Sequence, residues 1–409
     1  MKKKFIFTAS AVVLLFTMNS CKTDVLDYNK TLNFSKQTVE QQKQSIEQNG
    51  IDLINKIDAM QTTKAMIALQ AFSTNSTGSP VFVKPLAQLR TNLLKNDTKA
   101  LETFNSQMKV AAQVGDEYWG TWTWNSTLED FDYVATTNQT VTILFPATEN
   151  STTNNGELKI TYSQSTIVVP ETDPVEYMPK SISVVLKVSG TVALTADYTG
   201  SYKTDGTPTK VTQTLVIEKY NWKIELTNDD KDVSAKYAFN FDNDVLLKYE
   251  VGAAGSFTAT NIESSMNNDK PENIFTSGAM YFQVMNVAVV GGITDFKGFM
   301  TEGKALNYSD DKIYYQKEVD IFNKYIKAYG YFVKEKKKFA DVEFYLNEYS
   351  ETYTTYNPAS GNYDLVVTNN WYSAEPRFVL SDKSKVSIED FVQTGFEDLV
   401  KKLESYQNK

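Results

Sequence analysis

The feature that most constrains the fold is a long stretch, between residues 139 and 250, in which apolar and polar residues alternate. A period of two places the apolar side chains of each run on one face of a β-strand. The stretch therefore predicts a series of antiparallel strands. The runs are Val141 to Phe145, Leu158 to Tyr162, Ile182 to Val188, Val192 to Tyr198, Leu215 to Ile217, Tyr220 to Leu226, Tyr237 to Phe241 and Val245 to Tyr249.

Short turn signals separate these runs, which indicates hairpins between successive strands. They are TNNG at 153–156, SG at 189–190, TDGTP at 204–208 and TNDDKD at 227–232. Because apolar residues alternate with Thr, Ser and Lys, one face of the sheet is apolar and the other faces solvent. The apolar face must be covered by other parts of the chain. A sandwich, a barrel or a sheet curved around helices would each do so. We favour a curved meander packed on helices, whose concavity could form an apolar pocket.

Helical spacing dominates the region before the strands. Apolar residues over 38–72 recur at helical intervals, with Asn49 and Gly50 as an expected interruption. Leu86 to Leu94 marks a second helix and Leu101 to Ala112 a third.

The last third of the chain mixes both patterns. The polar stretch 264–273 resembles a boundary, and 279–292 is apolar enough to predict one central buried strand. An amphipathic helix is expected through Ile321 and Tyr329, running on to the lysines of 334–338.

Three strand-like segments follow, at 341–349, 363–367 and 377–380. Ser387 and Asp390 form a capping-box-like start for a final helix. The buried stripe expected for this helix is Ile388, Phe391, Val392, Leu399, Val400 and Leu403.

The predicted fold class is α+β: N-terminal helices, a large antiparallel curved β-meander, and a mixed α/β part that ends in a helix. The expected organisation is a signal peptide at 1–20, a polar tether at 21–36, a helical segment at 37–114, the meander at 115–263, and a mixed region at 274–409 that packs on the sheet.

The first residues have the layout of a secretory signal. Lys2 to Lys4 precede an apolar run from Phe5 to Met18, and Asn19 and Ser20 come directly before the single cysteine, Cys21. The apolar run has about 14 residues, whereas a membrane-spanning helix needs roughly 20. We therefore expect the segment to be removed rather than retained as an anchor.

These residues resemble the signal of bacterial lipoproteins, in the looser form found in Bacteroidota, where the cysteine after the cleavage site receives lipid. The resemblance implies that lipid on Cys21 holds the protein to the outer membrane, on its periplasmic or surface-exposed face. Lys22, Thr23 and Asp24 resemble the charged tag that sends some such lipoproteins to the surface. The acidic, hairpin-rich chain also resembles uncharacterised lipoproteins of this group, from which no catalytic motif carries over.

Composition excludes several chemistries. The chain has no histidine and one cysteine, which removes Ser-His-Asp and Cys-His catalysis, histidine zinc sites and intramolecular disulfides. A formal net charge of −9 argues against nucleic acid as a partner. Carboxylate, Ser/Lys and Tyr chemistry remain open, and no cofactor is expected.

The strongest candidate binding site is the aromatic segment EYWGTWTWN at 117–125. On a strand, Tyr118, Trp122 and Trp124 share one face and Trp119 takes the other. The segment could be a platform on which a sugar ring stacks, or it could anchor the core of the sheet by burying large rings. We favour the core interpretation.

Acidic, basic and glycine-rich groups are assigned structural roles, so no catalytic residue and no metal site is predicted. Asp242 and Asp244 are expected on one strand face, and the lysines of 334–338 at a solvated helix end. The acidic groups are 171–176, 228–232 and 241–244, and the glycine groups, expected in turns, are 251–256 and 289–292.

The expected function is therefore that of a non-enzymatic, lipid-anchored protein of the cell envelope that binds a partner or a ligand. The one-sided strands favour an apolar or lipid-like ligand in the concavity of the sheet. A carbohydrate-binding surface lipoprotein is the first alternative, because of the tryptophans, and a carboxylate-based hydrolase is the second.

Overall fold

In the part of the chain that the structure describes, the strands form one open sheet of sixteen. The computed structural model describes residue 28 and residues 30–74, 119–169, 177–307 and 310–407. The strands are β1 (Gly120–Asn125), β2 (Asp130–Ala135), β3 (Thr140–Phe145), β4 (Gly156–Val168), β5 (Tyr177–Val188), β6 (Thr191–Tyr202), β7 (Pro208–Ile217), β8 (Tyr220–Asn228), β9 (Asp232–Phe241), β10 (Asp244–Gly255), β11 (Phe275–Val284), β12 (Val287–Ile293), β13 (Ile326–Phe332), β14 (Lys337–Asn357), β15 (Asn362–Leu380) and β16 (Lys385–Ser387).

The order of strands in the sheet follows the chain from β16 to β3 and then continues with β1 and β2. Neighbouring strands are antiparallel, except that β1 and β3 are parallel. All eight alternating runs of the sequence are strands, β3 to β10, so the predicted antiparallel meander is confirmed.

Seven α-helices accompany the sheet in the described residues, so the chain is mixed α and β with strands predominating. They are α1 (Val39–Met60), α2 (Lys64–Thr74), α3 (Ala259–Asn267), α4 (Phe296–Lys304), α5 (Asp311–Tyr325), α6 (Ile388–Gln393) and α7 (Glu397–Gln407). The predicted helices at 86–94 and 101–112 lie outside the described residues. Within those residues, no helix combines the length and hydropathy needed to cross a membrane.

The main core lies between α1, α2 and one face of β3 to β10, which we call the inner face. Ile160 of β4 stands opposite Val141 of β3 and Val184 of β5, so the apolar side chains form continuous rows across the strands. Phe72 of α2 packs on Phe145 of β3 with ring centroids 4.6 Å apart. Burial of each large apolar side chain contributes about 1.5–3 kcal/mol, which makes this face the main source of stability.

The inner face continues into the second half of the sheet under other helices. Phe299 of α4 and Phe322 of α5 pack against Ile293 of β12 and Ile326 of β13. The strands of the 274–409 region extend the sheet of the 115–263 region, because β10 pairs with β11 across the polar stretch 264–273.

The predicted interruption at Asn49 and Gly50 is wrong, because α1 runs through both residues. Gly50 instead lets α7 approach closely, since a Cβ at this position would lie 2.7 Å from Cδ2 of Leu399. The side-chain oxygen of Asn49 accepts a hydrogen bond of 2.9 Å from the backbone N–H of Asn286. Both residues therefore mark tertiary contacts of the helix.

The predicted single strand over 279–292 is a hairpin. Strands β11 and β12 are joined by a tight turn at Met285 and Asn286, in which Met285 has a φ of 51°. The glycine groups 251–256 and 289–292, predicted as turns, lie largely inside β10 and β12. The ring of Tyr28 crosses the sheet at Gly292, where a Cβ would overlap Cε1 of that ring. Glycine at this position therefore allows the ring to pack on the sheet.

The predicted helix through Ile321 and Tyr329 ends at Tyr325. Ile326 and Tyr329 belong to β13, where Ile326 pairs with Ile293 of β12. The lysine run is therefore a hairpin turn and the start of β14, not a helix end. Residues of β13 pair with both β12 and β14 and are buried on both faces of the sheet, and these tertiary contacts override the helical spacing.

The final helix is divided in two at Gly395, which has a φ of +83°. Ser387 caps the first part through its hydroxyl, which accepts a hydrogen bond of 2.9 Å from the N–H of Asp390. Phe391 and Leu399 pack in a core cluster. The other residues of the predicted stripe, Ile388, Val392, Val400 and Leu403, are exposed.

Residues 28 and 30–36, which we call the N-terminal strap, lie against the sheet although the sequence predicted a tether there. The backbone N–H of Ser35 donates to the carbonyl of Lys338 at 2.7 Å, and the N–H of Lys338 donates to the carbonyl of Asn33 at 2.9 Å. Tyr28 and Leu32 pack on the opposite, outer face of β11 to β13.

Candidate functional site

Strands β14 and β15 extend well beyond their neighbours and form a two-stranded arm, residues 343–377. Strand β13 pairs with β14 only as far as Val342, and β16 reaches only Arg377 to Val379 of β15. The two long strands continue to pair with each other out to Asn357 and Asn362. At about 3.3 Å per residue, the arm extends roughly 45 Å.

The base of the arm is fastened to α5. The rings of Phe322 and Phe344 pack edge to face, with centroids 4.9 Å apart. Asn323 brackets the backbone of Phe344: its amide donates to the Phe344 carbonyl and its oxygen accepts from the Phe344 N–H, both at 2.8 Å. Glu343 accepts from Arg377 at 2.6 Å and from Lys385 at 2.8 Å. These contacts fix the direction in which the arm leaves the sheet.

One face of the arm carries aromatic side chains along its length. Tyr345, Tyr349 and Tyr353 recur at every fourth residue of β14, and Trp371 of β15 stands opposite Tyr349. Because side chains alternate between faces, all four lie on the same face, which we call the aromatic stripe. The opposite face is rich in hydroxyl groups, from Ser350, Thr352, Thr354 and Thr368.

The rings of the stripe are well exposed. The relative accessibility is 39% for Tyr349, 43% for Tyr353 and 43% for Trp371. The ring planes of Tyr349 and Trp371 are 15° from parallel, with centroids 6.0 Å apart. The two rings are therefore nearly parallel neighbours, and both are open to solvent.

A hydrogen-bonded carboxylate holds the stripe in place. Glu375 accepts hydrogen bonds from the amide of Asn347 at 2.9 Å and from the hydroxyl of Ser373 at 2.7 Å, and a further one from the hydroxyl of Tyr349. Burial alone would raise the pKa of Glu375, but these three hydrogen bonds together lower it. The same contact to Glu375 raises the pKa of Tyr349, so the phenol stays protonated.

Polar groups border the rings at both ends. The guanidinium of Arg377 lies 4.6 Å from the ring centroid of Tyr345, which covers that ring in part. The amide of Asn369 donates to the hydroxyl of Tyr353 at 3.3 Å. Glu351 stands opposite Asn369 and is exposed. The stripe therefore combines ring surface with positioned donors and acceptors.

The tryptophans singled out in the sequence lie elsewhere, at the β1 edge of the sheet. Trp122 packs against Tyr133 at 4.4 Å and 33°, and Trp124 against Phe131 at 5.2 Å and 67°. Both are half-buried and pack against the main core. Trp119, expected on the other face, is buried beside Tyr162. Tyr118 and Cys21 lie outside the described residues.

The acidic groups that the structure describes serve turns and ion pairs. Asp229 accepts from the N–H groups of Lys231 and Asp232 at 3.0 and 2.7 Å, and Asp230 pairs with Lys203. Asp242 is in the turn after β9, so it does not share a strand face with Asp244 as predicted.

No cluster of three or more acidic or cysteine side chains suited to a metal ion occurs within the described residues. The acidic group at 171–176 lies outside them.

The aromatic stripe was missed in the sequence because its strands were read as three short segments. Tyrosine at every fourth position over 345–353 is a signal for one face of a strand. It becomes visible only when 337–357 is treated as one continuous strand.

Searches for similar family models, curated proteins and solved structures found no match.

Proposed function

We propose that the protein is a non-enzymatic, lipid-anchored binding protein of the outer membrane, and that its aromatic stripe binds carbohydrate. The observation that carries this proposal is the pair Tyr349 and Trp371, exposed and nearly parallel, with fixed hydrogen-bonding groups beside them.

The chemistry of a sugar matches such a surface. A sugar ring has faces made of C–H groups and a rim of hydroxyls, so it can lie against flat aromatic rings and hydrogen-bond at its edge. Tyr and Trp supply large rigid contact area at low conformational cost. Sugar hydroxyls that lose water need partners, and Asn369 and Glu351 lie next to the rings of the stripe.

Two observations favour this ligand over the other candidates. The inner face beneath α1 and α2 is filled by buried side chains such as Leu186, Ile217 and Phe239, whereas the stripe is open to solvent. Glu375 is held as a carboxylate by three hydrogen bonds, which suits an orienting group rather than the proton donor that a glycosidase requires.

The membrane attachment rests on the signal-like residues before Cys21. A lipoprotein cysteine bears several acyl chains, and each buried CH₂ contributes about 0.8 kcal/mol to membrane binding. We expect mass spectrometry of the mature protein to find lipid on Cys21. A mature chain with unmodified Cys21 would contradict the anchor and leave the binding site unaffected.

The carbohydrate proposal is tested by glycan-array binding of three variants. Trp371→Ala should lose at least about tenfold in affinity, equivalent to roughly 1.4 kcal/mol. Val366→Ala is the matched control, because Val366 is an exposed residue on the other face of the same arm. Trp122→Ala should bind like the wild type. Absence of any glycan binding, or loss in Trp122→Ala alone, would refute the proposal.

A further inference from the structure

The geometry points to a more specific ligand: we infer that the aromatic stripe selects an uncharged, linear oligosaccharide that lies along the arm. This inference rests on the proposed function and concerns the length and the charge of the ligand.

The length follows from the spacing of the rings. Tyr349 and Tyr353 are four residues apart on one strand, which corresponds to about 13 Å. That distance is greater than one sugar ring, so a ligand that contacts both needs several units. Between the two contacts lie Glu351 and Asn369, opposite each other on the same face. A chain running along the strand would place its hydroxyls over this pair.

The charge follows from the ionisable groups at the stripe. Arg377 and Lys385 lie at its base, and both form ion pairs with Glu343. Two further carboxylates, Glu351 and Glu375, share the face with the rings. Among the described residues, the acidic groups of this face therefore outnumber its basic groups. The whole chain has a formal net charge of −9, so the surrounding field also disfavours anions.

The hydrogen-bonding capacity agrees with an uncharged ligand. The carboxylate of Glu375 already accepts hydrogen bonds from Asn347, Tyr349 and Ser373, which leaves it little capacity to bind a cation. Glu351 and Asn369 supply an acceptor and an amide, the groups that bind hydroxyls. A nucleic acid finds no matching set of basic groups on this face of the described arm, since Arg377 and Lys385 are both paired with Glu343.

The test measures binding of cello-oligosaccharides of increasing length and of oligouronides of matched length, by isothermal titration calorimetry with the mature chain. Affinity for the neutral series should rise with length until a chain spans both rings. Tyr353→Ala should abolish that gain while leaving the affinity for the shortest chains within about twofold. Oligouronides should bind at least about tenfold more weakly than neutral chains of the same length. Glu351→Lys should reduce this difference in affinity.

The outcomes separate this inference from the proposed function. Oligouronide binding as tight as neutral binding, or affinity independent of length, would overturn the inference; if Trp371→Ala still lost binding, the proposed function would stand. Binding of no oligosaccharide would overturn both. Arm-mediated dimers that dissociate in Trp371→Ala would also overturn both, because the stripe would then be covered by a second copy.

Discussion

Trp119 and Trp371 differ in how much of each ring is buried. Trp119 is 6% exposed and packs beside Tyr162, whereas Trp371 projects from the arm. Truncation of a buried tryptophan leaves a cavity, so we expect Trp119→Ala to lower the free energy of unfolding by about 3–5 kcal/mol. Trp371→Ala should change it by less than about 1 kcal/mol.

Urea unfolding followed by circular dichroism would measure both variants. A large loss of stability in Trp371→Ala would mean that the ring supports the fold. The glycan binding of this variant would then be compared only with that of Val366→Ala.

Glu318 on α5 is a buried acid whose charge opposes the fold. It is 1% exposed, and neither carboxylate oxygen has a hydrogen-bond partner in the described structure. Burial raises its pKa to about 7. The folded state therefore holds the proton more tightly than the unfolded state, whose glutamate pKa is about 4.3. Stability should fall as the pH rises from about 4 to 7, by about 3 kcal/mol in all.

Glu318→Gln should remove this part of the pH dependence, which unfolding measured across pH 4–8 would show. Glu404→Gln on α7 is the matched control, since Glu404 is exposed. Equal slopes for Glu318→Gln and the wild type between pH 4 and 7 would show that Glu318 is solvated or paired in solution.

At the scale of elements, one side chain of α5 makes two hydrogen bonds to the base of the arm. Asn323 makes two hydrogen bonds to the backbone of Phe344, so Asn323→Ala leaves both backbone groups without their partner. We expect a loss of about 1–3 kcal/mol and faster exchange of the Phe344 amide hydrogen.

Gln316→Ala is a suitable comparison, because Gln316 on the same helix is exposed and donates a hydrogen bond of 3.2 Å to its exposed neighbour Asp320. Amide hydrogen exchange of Phe344, measured by NMR in both variants, would test this prediction. Unchanged protection at Phe344 in Asn323→Ala would show that the packing of Phe322 is sufficient to hold the arm.

The elements that the sequence predicted well are those whose period matches their burial. Each of the strands β3 to β10 has one buried face and one solvent-facing face, so alternating apolar and polar residues predict it from the sequence. The arm failed this criterion, because both of its faces meet solvent and its tyrosines and threonines show no contrast of hydropathy. The end of α5 also failed, since Ile326 and Tyr329 fit a helical period as well as a strand.

For the whole molecule, the N-terminal strap covers the outer face of β11 to β13. Tyr28 and Leu32 cover Tyr281 and Val290, which are otherwise on the face away from the helices. A chain that begins at residue 37 should lose about 2–4 kcal/mol relative to one that begins at residue 28, because this apolar surface returns to water. Differential scanning calorimetry of the two chains would test this. Equal stability would show that the strap contributes nothing to the fold.

Tertiary contacts explain why other features escaped the sequence. The sequence predicts a helix interruption at Gly50 and a turn at Gly292. In the structure, Gly50 makes room for the side chain of Leu399, and Gly292 makes room for the ring of Tyr28. Likewise, the polar stretch 264–273 suggests a boundary, although β10 and β11 pair across it. A glycine signals either a turn or a close approach, and only the partner in space distinguishes them.

The central claim is that ligand covers the aromatic stripe of the arm. Hydroxyl-radical footprinting read by mass spectrometry, with and without a neutral oligosaccharide, tests it at the level of single side chains. We predict reduced oxidation of Tyr349, Tyr353 and Trp371, with no change at Trp122 and Trp124. Protection of Trp122 and Trp124 instead, or no protection at the stripe under saturating ligand, would contradict the claim.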